Sequence, residues 1–241
     1  MNKTVAVIAA HPDDEVLGMG GLLKKFSKKE NDIKIVFLAT GILARRSSDY
    51  LNSTKYNISN NLKNDMEEQI FQLQKDTKKA LSVLGIKRIQ FEDFPDNEMD
   101  KISNLEITKR IEGIIGEYRP DTVYTHSQYD INVDHRRIYE STITATRPKK
   151  NSIVKQVISF EVPSSTEWYF PQKFSPNIFV DISKELKFKL KAMQYYKNEL
   201  MEFPHPRSIE ALEIIAKRWG TVCGFHAAEA FSLVRSLVRN P

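Results

Sequence analysis

Residues 4–10, Thr-Val-Ala-Val-Ile-Ala-Ala, carry no charge and stop at His11-Pro12. A short unbroken apolar run of this kind reads as a strand covered on both faces, the setting of a parallel sheet. Asp13-Asp14-Glu15 then opens a helical pattern through Leu17, Gly20, Gly21, Leu23 and Phe26. Acidic residues at that break cap free N–H groups and suit the positive end of the helix dipole. A second buried strand reads at 33–39. Strand, helix, strand in so short a stretch is a βαβ unit, which implies parallel strands and a right-handed crossover.

The alternation continues through a helix near 64–84, a strand at 87–91, a helix near 105–118 ended by Arg119-Pro120, and a strand at 122–125. A helix near 135–145 and a strand at 156–160 follow. This pattern predicts an α/β fold: a Rossmann-like open, mainly parallel sheet flanked by helices. Helical periodicity at 184–200 and 208–219 predicts C-terminal helical additions, and an apolar segment at 230–238 closes the chain. The polar segment 47–64 has no period and reads as a long loop. No linker rich in Gly, Pro or Ser divides the chain and no repeat is visible, so residues 1–241 read as one domain.

Composition narrows the chemistry. Lys and Arg number 36 against 31 Asp and Glu, a net charge of +5, but the excess is spread over small clusters such as Lys24-Lys25, Arg45-Arg46 and Lys149-Lys150. Without a basic face interleaved with aromatics, a nucleic-acid partner is not expected; an anionic small substrate such as a nucleotide sugar is compatible with such a surface. No apolar run reaches the length of a membrane span, and the N-terminus does not have the charge pattern of a signal peptide. The single cysteine, Cys223, excludes an internal disulfide and a cysteine-cluster metal site and fits a reducing cytoplasm. Any metal must be held by His, Asp or Glu, and there are only five histidines to place.

In open α/β sheets, ligands sit beyond the carboxyl ends of the strands. His11, Asp13 and Asp14 follow the first predicted strand; His126 and the run Asp130-Ile131-Asn132-Val133-Asp134-His135 follow the fourth. The two ends carry three of the five histidines. Each segment alone reads equally well as helix capping or as a surface pair. Together they supply the neutral and anionic ligands of a catalytic metal site, with two consecutive carboxylates to divide metal binding from proton handling.

Ala10-His11-Pro12-Asp13-Asp14-Glu15 after an N-terminal strand, paired with the later Asp-x-Asn-x-Asp-His-Arg of residues 130–136, resembles the LmbE-like, or PIG-L, family of zinc-dependent N-deacetylases. Phe94-Pro95-Asp96-Asn97, Thr125-His126-Ser127, Ser164-Ser165-Thr166-Glu167-Trp168 and Pro204-His205-Pro206-Arg207-Ser208 extend the likeness over nearly the whole chain. The resemblance implies removal of the acetyl group from an N-acetylglucosamine-type sugar, glycoconjugate or nucleotide sugar. His11, Asp14 and His135 match the metal ligands, for Zn2+ or another divalent ion such as Fe2+, and Asp13 matches the general base. A homo-oligomer is compatible with the family.

The chain departs from that family at one position. Better-known members carry a histidine three residues before the metal-binding histidine, where this sequence has Asn132. Asn132 is not an acid, although its amide has an N–H to offer an oxyanion, and Asp134 loses the histidine it would orient. His126 or His205 is the expected substitute acid. Arg45, Asp96, His205 and Arg207 are the expected substrate contacts, with Tyr129, Trp168 and Tyr169 available to stack on a sugar. Three rival readings remain. Hydrolysis of another amide, or of an ester, on a sugar uses the same parts and is separated only by substrate screening. A nucleotide-binding domain lacks support because no Gly-x-Gly-x-x-Gly follows the first strand. A catalytically degenerate sugar- or nucleotide-binding protein is the alternative that Asn132 keeps open.

Overall fold

The computed structural model describes residues 3–41, 60–150 and 152–238. Its elements, in chain order, are β1 (Thr4–Ala9), α1 (Asp14–Lys28), β2 (Asp32–Ala39), α2 (Asn60–Leu84), β3 (Arg88–Phe94), α3 (Asn104–Tyr118), β4 (Thr122–His126) and α4 (Val133–Ala145). They continue with β5 (Gln156–Phe160), β6 (Ile178–Asp181), α5 (Leu186–Met193), α6 (Ile209–Cys223) and β7 (Ala228–Ser236). The seven strands form one sheet in the order β3-β2-β1-β4-β5-β7-β6. The first five run parallel, and β7 pairs antiparallel with both β5 and β6.

The apolar run of β1 explains itself in this arrangement. Val5, Val7 and Ala9 enter one core with α1, α2 and α5, while Ala6, Ile8 and Ala10 enter the opposite core with α3 and α4. All six are fully buried. The chain leaves β1 for β2 on one side, and β4 pairs on its other side. The order therefore switches between β1 and β4, where a crevice opens at the strand ends.

The open parallel sheet stands as expected. The last third differs in detail: the predicted helix over 184–200 is the shorter α5, and the closing apolar segment forms β7. β6, half-buried throughout, is only four residues long, too short to show a period. Helix α2 begins at Asn60, inside the segment read as a loop; residues 47–59 lie outside the described residues. Among the described residues no helix is long and apolar enough to cross a membrane.

One feature ties the C-terminal part to the N-terminal motif. Helix α1 breaks at Met19, whose φ is −149°, so the N–H groups of the following turn lack helical partners. The Glu229 carboxylate, from β7, accepts from Gly21 N at 2.9 Å and Leu22 N at 2.7 Å. Lys189 of α5 sits on the same carboxylate at 2.7 Å and donates to the Leu17 carbonyl at 2.8 Å. Gly21 is needed here, because a Cβ would stand 2.7–2.9 Å from three carbons of Ile182.

Candidate metal centre

At the β1–β4 crevice the turn after β1 delivers His11, the first residue of α1 is Asp14, and the first turn of α4 carries His135. One nitrogen from each histidine and one oxygen of Asp14 all lie within 4.8 Å of one another. Asp14 Oδ2 is 3.5 Å from His11 Nδ1 and 3.4 Å from His135 Nε2. His135 Nε2 and Asp14 Oδ1 are buried and have no hydrogen-bond partner. Buried orphan atoms are costly unless something binds them, and two imidazoles with a carboxylate suit a divalent ion of the zinc type. The residues present therefore fit a metal.

A second grouping, His11 with Asp96 and Asp134, has comparable spacing. Its atoms are already committed. Asp134 accepts from Asn97 N at 2.6 Å and Met99 N at 3.1 Å, and His11 Nε2 lies 3.0 Å from Asp134 Oδ2 and 2.9 Å from Asp96 Oδ1. These carboxylates hold the far nitrogen of His11, which leaves Nδ1 toward Asp14. That is how a metal-binding imidazole is usually braced.

Electrostatics point the same way. Burial alone would lower His135, but the carboxylates of Asp130 and Asp14 outweigh it and hold the imidazole at about 9. His11 is likewise raised against the effect of burial by Asp134, Asp14 and Asp96. Asp14, which burial would raise, is kept well below the usual carboxylate range by His135, His11 and His126. The carboxylates of this nest thus favour positive charge at both imidazoles.

Asp13 stands beside the cluster in an unusual backbone conformation, φ 124°. Its N–H donates to Glu15 Oε2 at 3.0 Å, and Glu15 Oε1 in turn accepts from Tyr196 at 2.5 Å. The Asp13 carboxylate meets Arg207 Nη1 at 3.1 Å. Arg207 also pairs with Glu199 at 3.2 Å and donates from Nε to Ser164 Oγ at 2.7 Å.

The remaining expected site residues fall differently. Asn132 is the N-cap of α4, its carbonyl oxygen accepting from Asp134 N and His135 N, while its Nδ2 donates to Asn97 at 2.9 Å. The oxygen is spent on the helix start and one of the two Nδ2 hydrogens on Asn97, so the amide keeps a second N–H to offer an oxyanion. His126 is fully buried beneath the cluster, stacked on His135 at a centroid distance of 3.9 Å, and its Nε2 accepts from Ala10 N at 2.8 Å. Burial, then the charge of His135, pushes it down to about 3, so it is neutral and ill suited to the expected acid role. Asp134 and Asp96 brace His11, which corrects the expectations of Asp134 as a catalytic group and of Asp96, 3% exposed, as a sugar contact.

His205 lies by Trp168, ring centroids 5.7 Å apart, and accepts from Arg207 N at 3.1 Å. It neighbours Arg207 rather than the metal cluster. Arg207 itself is turned to Asp13, Glu199 and Ser164, so its expected grip on a substrate anion gives way to a grip on protein carboxylates. Arg45 lies outside the described residues. Sequence reasoning missed Glu15, Tyr196, Glu199 and Asp130. Only Glu15 and Asp130 had a signal, their places within the two motifs; Tyr196 and Glu199 come from a segment with none.

A sequence model of the family described as PIG-L, GlcNAc-PI de-N-acetylase, matches residues 6–146, more than half the chain. The chain belongs to the PIG-L family. Its relatives include the diacetylchitobiose deacetylase of Thermococcus kodakarensis, 27% identical over 242 residues that cover 96% of this chain and 83% of the relative. The inhibitor complex of N,N'-diacetylchitobiose deacetylase from Pyrococcus horikoshii superposes with a TM-score of 0.72 at 23% identity, covering 97% of this chain and 84% of that one. The same PIG-L fold also hosts the 4-carboxy-2-hydroxymuconate hydratase GalB of Pseudomonas putida, with a TM-score of 0.73 at 19% identity over 99% of both chains. Fold alone therefore does not choose between hydrolysis of an amide and hydration; the site must.

Proposed function

We propose that this PIG-L member is a zinc-dependent N-deacetylase acting on an N-acetylglucosamine-type sugar or glycoconjugate. One observation carries the reading: a His11–Asp14–His135 cluster with orphaned ligand atoms stands beside a second carboxylate, Asp13, that arginine and backbone contacts hold in place. The resemblance to diacetylchitobiose deacetylases supplies the substrate class. Zinc suits the ligand set, and Fe2+ shares it.

His11, Asp14 and His135 would hold the ion. When bound, a divalent ion in such a site polarises the acetamide carbonyl and acidifies water. Asp13 accepts the proton of the attacking water as its oxygen bonds to the acetyl carbon. The carbon–nitrogen bond then breaks, and the same proton passes from Asp13 to the leaving amine, giving acetate and the free amino sugar. Asp13 fills both roles because Asn132 has no acidic proton to give and burial keeps His126 neutral. Arg207 holds its carboxylate and Glu15 its backbone N–H, so little reorganisation is required at the moment of transfer. Trp168, 42% exposed beside His205, offers its ring to the apolar face of a sugar.

The test is metal analysis with acetate release. The purified protein is expected to carry about one zinc or iron per chain and to release acetate from N-acetylglucosamine or diacetylchitobiose. Asp14→Ala should lose both. A protein without metal in either form sinks the reading. A metal-loaded protein that releases no acetate but binds the sugars points to the degenerate binder instead.

A further inference from the structure

The buried carboxylate of Asp130 is not a metal ligand, a base or a substrate contact in the scheme above. It lies in the loop between β4 and α4 and is fully buried. Four donors converge on it. Asn132 N donates to Oδ1 at 2.8 Å, Thr166 Oγ1 donates to Oδ2 at 2.8 Å, and Ser165 Oγ donates to Oδ1. The fourth is His135 Nδ1, 3.1 Å from Oδ2. The other ring nitrogen, Nε2, is the orphan that faces Asp14.

We infer that Asp130 is a positioning residue that sets the tautomer and ring orientation of His135 for metal binding. An imidazole that gives its Nδ1–H to a carboxylate must present the Nε2 lone pair, and the buried carboxylate makes that nitrogen a stronger ligand. Asp130 cannot swing away, because the hydroxyls of Ser165 and Thr166 and the Asn132 N–H fill its remaining acceptor positions. The turn that carries Ser165 and Thr166 also holds Ser164, whose hydroxyl accepts from Arg207. One turn after β5 therefore steadies the metal ligand through Asp130 and the base through Arg207. The inference rests on the metal-centre part of the proposed function.

Asp130→Asn keeps the shape, and the Ser165 and Thr166 hydroxyls can turn to accept from the new amide. Zinc affinity, measured by chelator competition, is expected to fall about 10–100-fold. The visible absorption of the cobalt-substituted protein should shift with it. Thr166→Val serves as the structural control, since it cuts the tie to the turn without touching the imidazole. It should lower the melting temperature of the metal-free protein and cost much less zinc affinity than Asp130→Asn, since the imidazole keeps its carboxylate acceptor. Wild-type affinity and spectrum in Asp130→Asn would overturn the inference, as would an equal loss of affinity in Thr166→Val. A wild-type protein that binds no metal would sink the metal centre itself; one that binds zinc but hydrolyses no acetamido sugar would sink only the proposed reaction.

Discussion

Asp13 stands at the centre of the site's economy of contacts. A non-glycine residue at φ 124° is held against a local cost of about 1–3 kcal/mol. The restraints are visible: Glu15 holds its N–H and Arg207 its carboxylate. Strain of this sort aims a side chain that a relaxed turn would aim elsewhere. Asp13→Asn keeps the volume and removes the proton acceptor, so kcat should fall by about 10²–10⁴-fold with metal content unchanged. A variant that retains wild-type kcat would strip Asp13 of its role. Arg207→Met should leave the metal in place and lower kcat, because the base loses its orientation. If KM alone rises instead, Arg207 is a substrate contact after all.

Helix α1 shows how far sequence carries and where it stops. The motif, the buried strand before it and the carboxylate start of the helix were all legible, because each is written in adjacent residues. The break at Met19 and its repair were not. Glu229 lies 208 residues from the Gly21 N–H it accepts, and nothing local in Ala228–Glu229–Ala230 marks that task. The same holds for the site. His11, Asp14 and His135 could be paired because both segments end strands, whereas Glu199 and Tyr196 reach Arg207 and Glu15 from a region without a motif. His126 was misjudged for a related reason: position at a strand end says which rim a residue reaches, but not that its ring lies beneath the cluster. The repair of α1 is testable. Lys189→Met leaves the Glu229 charge buried with only backbone donors, and unfolding by urea should show a loss of about 3–5 kcal/mol. A loss within experimental error would make the pair dispensable.

For the molecule as a whole, a metal held as proposed would compete with protons for the same imidazoles. In the metal-free protein His135 is raised from 6.5 to about 9, so its pairing with Asp130 and Asp14 stabilises the fold fully below about 6.5 and is lost as pH rises through about 9. Metal binding needs the opposite state, a deprotonated ring. Zinc should therefore raise the melting temperature more at pH 8.5 than at pH 6.5, and calorimetry should show proton release on binding at the lower pH. Equal thermal shifts at both pH values would contradict this competition.

The antiparallel strand at the end of the chain has a consequence for how the protein is made. The three proposed metal ligands are all synthesised by residue 135, yet the N–H groups in the broken helix behind Asp14 wait for Glu229, and Asp13 waits for Arg207. The nascent chain carries a complete set of ligands long before it has the frame that aims them. Capture of a metal in the geometry proposed for this site would therefore wait for the synthesis of β7.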